Sequence, residues 1–203
     1  MIHIDFEGNL PYFFMALSVL ILFYGIYLIK MLAQHRRGIQ TRQIGRRKEK
    51  SLHRVETWMA VATYLVIPAQ IISMALGWNY MPSDARFTGF LTALAGDIIF
   101  LAAVLCMKDS WRAGIPESDK TAIVTDGIYK FSRNPAFLGF DLMYLGVFLM
   151  YANPLTGFFT VFAILMLHLQ ILQEEKYLAD TFGEEYGRYK RQVFRYLGRK
   201  NSK

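Results

Sequence analysis

Long apolar runs, almost free of charge, alternate with short, densely charged stretches along this chain. Five runs stand out: Pro11 to Ala33, Trp58 to Trp78, Phe87 to Met107, Pro135 to Tyr151 and Leu155 to Leu172. The first three have the roughly 20 residues that a helix needs to cross the ~30 Å apolar core of a bilayer. The last two are shorter, which leaves a re-entrant hairpin as the alternative to two full crossings. They meet at the breaker Asn153-Pro154. Asn134 and Asn153 lie 19 positions apart, and Pro154 and Glu174 lie 20 apart. Helical legs of that size rise about 30 Å each. The polar feet of the hairpin, Arg133-Asn134 and Glu174-Glu175, are therefore expected side by side at one membrane face. The pattern predicts an all-α, polytopic membrane protein with about five transmembrane helices, a C-terminal helical hairpin and an amphipathic tail helix, in one domain over 1–203.

Charge gives this arrangement a direction. The stretch after the first run carries Arg36, Arg37, Arg42, Arg46, Arg47, Lys48, Lys50 and Arg54, and the tail carries Lys176, Arg188, Lys190, Arg191, Arg195, Arg199, Lys200 and Lys203. Between the second and third runs only Arg86 appears, beside Asp84. The positive-inside rule then sets the N-terminus outside and the C-terminus in the cytoplasm, with 108–133 cytoplasmic as well. The first run is too long for a cleaved leader and lacks its basic flank and cleavage site, so it reads as a retained anchor.

Composition agrees. The chain is 54% hydrophobic and 19% charged, with mean hydropathy +0.23, a membrane-protein balance rather than that of a soluble core. The net charge of +7 is accounted for by topology and anionic headgroups, not by a nucleic-acid partner. The single Cys106 excludes an intrachain disulfide and reads as a small packing residue. No dinucleotide, P-loop, HExxH or CxxC pattern is present, and His3, His35, His53 and His168 show no metal-ligand spacing.

The candidate chemistry gathers at the hairpin's feet. Asn134-Pro135 is a helix-start signal with Asn at the cap and Pro at the first helical position. A helix N-terminus with Arg133 beside it suits a carboxylate or another anion, Gly139 permits close approach of a ligand or backbone, and Phe137 suits either a ligand ring or lipid. Two carboxylates, Glu174 and Glu175, at a helix C-terminal end oppose the helix dipole, a local violation that hints at function. They suit an ammonium, ribose hydroxyls or a sulfonium. His168, Leu172 and Glu175 share one helical face. Phe182, Tyr186, Tyr189 and Val193 form an aromatic stripe, read as a membrane-surface helix and compatible with a lid over the site. Asp97 and Asp141 lie inside spans, where carboxylates need partners.

These segments together resemble the integral-membrane methyltransferases that include isoprenylcysteine carboxyl methyltransferase and the phospholipid methyltransferases. The resemblance rests on Gly127 and Tyr129; on Arg133, Asn134, Pro135, Phe137 and Gly139; on Glu174, Glu175 and Leu178; and on Phe182, Gly183, Tyr186 and Tyr189, with Ser110-Trp111-Arg112-x-Gly114 upstream. It covers about 107–195. It implies S-adenosylmethionine as methyl donor, held by Gly127, Tyr129, Arg133, Asn134, Pro135, Phe137, Gly139, Glu174 and Glu175, with Arg133, Glu174 and Glu175 in catalytic roles and no metal. Asn134 stands where many members have His, and Phe137 where many have Tyr. The ending Val193-Phe194-Arg195-Tyr196-Leu197-Gly198 lacks two prolines of the family pattern.

The expected reaction is methyl transfer to a lipophilic acceptor drawn from the bilayer, with membrane lipids as surroundings and the oligomeric state open. The lack of His at 134 tilts the reading toward an acceptor that is already anionic, such as an isoprenylcysteine carboxylate oriented by Arg133. A phospholipid amine, or another lipid-soluble acceptor such as a quinone or small thiol, is the alternative. The rival from another class is a non-catalytic transporter or complex subunit, for which Asp97, Asp141 and His168 would form a polar path.

Overall fold

The computed structural model describes residues 6–44, 50–115 and 122–200. His3, Arg46, Arg47, Lys48 and Lys203 lie outside the described residues. Among the described residues five helices carry the fold: α1 (Phe6–His35), α2 (Lys50–Ala75), α3 (Ser83–Met107), α4 (Pro135–Met150) and α5 (Pro154–Gln192), with 3₁₀ turns at Lys108–Ser110 and Gly127–Lys130. No β-strand forms among the described residues, only two isolated bridges, Arg42 with Ala113 and Val193 with Arg199. Among the described residues four helices, α1, α2, α3 and α5, are long and apolar enough to cross a membrane. Apolar side chains such as Ile21, Ile29, Leu105, Phe158 and Val161 are exposed on the outside of the bundle, as lipid-facing surface requires.

The hairpin legs are less alike than their sequence spacing. α4 has 16 residues, about 24 Å, whereas α5 has 39. α4 nevertheless runs the length of the bundle, antiparallel to α3. Its main partner is α3, not its hairpin mate, and the reason is a set of small residues. A Cβ on Gly96 would lie 2.7 Å from the Gly139 carbonyl oxygen, and one on Gly89 would lie 2.6 Å from that of Gly146. One on Gly146 would strike the backbone of Gly89 and Ala93. Only glycine permits backbones this close, the usual basis of tight helix pairing in lipid. Gly139 thus serves the approach of another helix.

At the end formed by 76–83 and 150–153, Arg86 is buried on α3. Its Nε donates to the Met150 carbonyl at 2.9 Å, and its guanidinium lies 3.8 Å over the Tyr12 ring and 5.2 Å from that of Tyr151. Tyr12 also donates to the Ser83 carbonyl. One cation thereby ties α1, α3 and α4. Asn153 caps α5 through hydrogen bonds from the Leu155 and Thr156 amides, with the Thr156 hydroxyl completing the box.

The opposite end holds α1's close, α2's start, residues 108–115 and 122–134, and the tail. Between the ends, Phe23, Phe100 and Phe140 stack around one another at 4.4–5.2 Å, joining α1, α3 and α4 under the site.

Candidate functional site

Arg133 and Asn134, the last residues before α4, meet Glu175 of α5 as the matched hairpin requires. Arg133 Nη2 lies 2.9 Å from Glu175 Oε1, with both side chains buried. The Asn134 amide donates to the same oxygen at 3.2 Å. A third donor comes from the tail: Arg195 donates through Nε to Oε1 at 3.1 Å and through Nη2 to Oε2 at 3.0 Å. This fork is the strong bidentate form of the pair. Donation to Glu175 lifts the Arg195 guanidinium above its ordinary pKa.

The helix-start signal at Asn134 is thus only half realised. The backbone occupies the cap position, but the side chain makes no capping bond. It turns instead to Glu175 and to the Arg195 carbonyl at 3.2 Å. Nδ2 donating to a carboxylate makes a charge-assisted bond, stronger than the neutral bond that Oδ1 would accept from a backbone N–H as a cap.

The aromatic stripe is likewise redirected. Tyr186, Tyr189 and Val193 are buried and form a second small core with Ala103 and Tyr129, rather than lying on a membrane surface. The bend that permits this is Gly183, whose φ of +49° interrupts α5, a conformation that a side chain disfavours. Tyr186 takes a hydrogen bond from Arg133 Nη1 at 3.3 Å, and Tyr189 donates to the Tyr129 carbonyl at 2.7 Å. His168, on the same face of α5 as Glu175, contacts the tail too, with Nδ1 2.7 Å from the Tyr196 hydroxyl. The tail lacking the family's prolines therefore closes over the ion-pair cluster, tied down by Arg133 N to the Phe194 carbonyl at 3.1 Å.

Glu174, one residue earlier, faces elsewhere. It accepts from Gln170 Nε2 at 3.2 Å and stands in the wall between two cavities. The smaller cleft, of about 130 Å³, is bordered by Tyr129, Arg133, Asn134, Glu174, Tyr177 and Tyr189 on its polar side and by Ile115, Ile123, Val124 and Leu178 on its apolar side. The larger, about 490 Å³, opens between α1, α2, α4 and α5 and is mainly apolar, lined by Tyr27, Leu28, Met59, Ile67, Phe140 and Leu167 among others. The two share Trp111, Arg112, Gly114, Ala136, Phe137 and Glu174.

The expected site residues therefore separate. Tyr129, Arg133, Asn134, Phe137 and Glu174 line the smaller cleft. Glu175 sits behind it as the partner of two arginines. Gly127, with φ +58°, packs against Cys106, whose thiol donates to the Asp126 carbonyl at 3.1 Å. Pro135 is the buried first residue of α4, and Gly139 packs on α3. Asp97 is fully buried, and neither carboxylate oxygen has a hydrogen-bond partner among the described residues. Sequence reasoning passed over Arg195 as a topological charge and left Trp111 and Arg112 out of the site. The signal for all three was their place in the resemblance.

Comparison with known proteins bears on the same region. The phospholipid methyltransferase family matches residues 85–185, about half of the chain. The chain belongs to this family of membrane methyltransferases. Within that wider group it is similar to a probable protein-S-isoprenylcysteine O-methyltransferase of Oryza sativa subsp. indica, 30% identical over 110 residues that cover 53% of this chain and 58% of that protein. A protein-S-isoprenylcysteine O-methyltransferase of Mus musculus is 30% identical over 111 residues, 52% of this chain and 38% of its own length. That of Saccharomyces cerevisiae is 38% identical over 78 residues, 38% of this chain and 32% of its own. The match thus spans less than two thirds of each relative. α1 and the segment leading to α2 lie outside the family match.

Proposed function

We propose that this chain transfers a methyl group from S-adenosylmethionine to the carboxylate of a lipophilic, isoprenylcysteine-like acceptor at the cytoplasmic face of a membrane. The observation that carries this reading is the shared wall: a partly polar cleft at the helix feet abuts an apolar cavity between the helices, with Glu174, Ala136 and Phe137 common to both. The names of the relatives support the same acceptor class.

The donor set of the smaller cleft fits S-adenosylmethionine. Glu174 offers a carboxylate for a positively charged group, Arg133 keeps one buried N–H, at Nε, without a partner among the described residues, and Ile123, Val124 and Leu178 offer apolar surface for a ring. At about 130 Å³ the cleft takes one end of such a molecule, since pockets for whole ligands run from roughly 300 Å³. When bound, the group supplies a methyl carbon made electrophilic by a sulfonium. The work of the protein is to hold and dehydrate. Glu174 keeps positive charge at the wall, Phe137 and Trp111 exclude water there, and Glu175 fixes Arg133 and Arg195 so that the tail stays closed. A carboxylate acceptor needs no base, so holding the reactants in line in a dry site is the main source of rate.

The polar end of the bundle carries the basic loops and the tail, so it faces the cytoplasm by the positive-inside rule. α1 begins at the other end, where Tyr12 reaches Ser83, which supports a start on the outer side.

Two measurements test the reading. Calorimetry of the detergent-purified protein with S-adenosylhomocysteine is expected to show binding at micromolar concentration or tighter. Incubation with labelled methyl donor and a panel of total lipids and prenylated peptides is expected to label the prenylated carboxylates as base-labile esters. Binding without any labelled product, or label confined to lipid amines, would overturn the acceptor.

A further inference from the structure

The apolar cavity has a charged mouth that the family match does not include. Arg42 lies on the segment between α1 and α2, and its backbone pairs with the 111–114 segment: Gln43 N donates to the Ala113 carbonyl at 2.8 Å and Ala113 N to the Thr41 carbonyl at 3.0 Å. Buried Gln34 clasps both strands of this bridge. Its Nε2 donates to the Trp111 carbonyl at 3.0 Å, and its Oε1 accepts from the Thr41 hydroxyl at 2.7 Å. Gly114 completes the fit, since a Cβ there would lie 2.9 Å from Ile44 N. Thr41 and Gln43 are buried while Arg42 between them is exposed. Arg42 is thus presented from a fixed backbone into the lining of the larger cavity, its guanidinium 5.8 Å from the centre of the Tyr64 ring on α2.

Arg133 and Arg195 are engaged with Glu175, and Arg112, which also lines the cavity, turns its Nη1 to the Asp109 and Trp111 carbonyls. An anionic group entering the apolar cavity therefore meets Arg42 rather than Arg133. From these observations we infer that Arg42 reads the acceptor: it holds the carboxylate of an apolar-chained acid at the cavity mouth and repels an ammonium, so that acids are accepted and lipid amines refused. Discrimination by a like charge against the wrong ligand is a common means of specificity. The inference rests on the methyl-transfer reading for its consequence in turnover, but not for its consequence in binding.

The test uses the full chain in detergent with S-adenosylhomocysteine present. The probes are N-acetylated, S-farnesylated cysteine as free acid, its primary amide and a farnesyl amine, with phosphatidylglycerol as a competing anion. Wild type is expected to bind the acid about tenfold to a hundredfold more tightly than the amide, the range of a charge-assisted contact, and the amine more weakly still. Arg42→Ala and Arg42→Gln are expected to remove the preference for the acid, and Arg42→Lys to restore most of it. Arg54→Ala, which removes another cation at the same end, is expected to leave it intact. In turnover, Arg42→Ala raises KM for the acid with kcat within about twofold of wild type. The inference is overturned if either neutral variant keeps the acid preference, if Arg54→Ala loses it equally, or if phosphatidylglycerol displaces the acid at equal concentration. If the preference depends on Arg42 but no methyl ester forms, the methyl-transfer reading fails alone. Turnover of the acid with KM unchanged in Arg42→Ala sinks the inference and spares that reading.

Discussion

Each end of the bundle buries an arginine, and the two are used differently. Arg86 gives its guanidinium to the Met150 carbonyl and to the faces of Tyr12 and Tyr151, so its charge is absorbed by neutral groups holding three helices together. Arg133 gives its guanidinium to Glu175, which also takes the Arg195 fork, and it borders a cleft. Both keep one buried nitrogen without a partner among the described residues, Nη2 in Arg86 and Nε in Arg133. A buried arginine does not by itself mark a site. What distinguishes Arg133 is the carboxylate that fixes it and the cavity beside it.

The comparison is broken most directly at Glu175. Glu175→Ala leaves two arginines facing a vacated pocket, and a broken buried pair costs about 3–5 kcal/mol. The expected result is a large fall in the detergent melting temperature together with loss of activity. A melting temperature equal to wild type would show that the cluster does not hold the tail. Its neighbour gives the contrasting result. Glu174→Gln is expected to keep the melting temperature and to lose about a hundredfold in kcat/KM, the scale of one electrostatic contact to a reacting group. Equal losses of stability at 174 and 175 would erase the distinction between them.

Away from the site, effects should fall on stability alone. Gly146→Ala forces a methyl into the backbone of α3 and is expected to destabilise by about 1–3 kcal/mol, as overpacking does, read from the melting temperature. Arg86→Met removes the donor to the buried Met150 carbonyl and the cation from two ring faces, and should lower stability by about 1–3 kcal/mol. The melting temperature is expected to fall while kcat per folded molecule stays close to wild type. A selective loss of kcat there would make Arg86 part of the site. Asn153→Ala removes a realised cap and should cost about 1 kcal/mol. Asn134→Ala, at a cap position whose side chain is used elsewhere, should instead weaken S-adenosylhomocysteine binding.

The apolar runs announced three membrane-long helices and a shorter hairpin because burial in lipid is a property of composition over ~20 residues; that the second leg continues into a 39-residue helix long enough to cross a membrane was not announced. The turn at Asn153-Pro154 was legible for a similar reason, since a cap and a proline act within one helical turn. The meeting of Arg133 with Glu175 followed from counting residues along two helices. The partnership of α4 with α3 was harder to see, because Gly89, Gly96, Gly139 and Gly146 acquire their meaning only when both helices are set in register.

The sequence alone thus determined which segments are apolar, where the chain turns and which polar groups arrive at the same end, all consequences of local composition and helix geometry. Tertiary structure decided what those groups do. Glu174 and Glu175 are adjacent, yet they point about 100° apart around the helix; only the packing of the tail on one face and the opening of the cavities on another made one an anchor for arginines and the other part of a wall. The placement of Arg42 was decided the same way, by a pair of backbone hydrogen bonds to a segment about 70 residues distant, a long-range contact that no local pattern encodes.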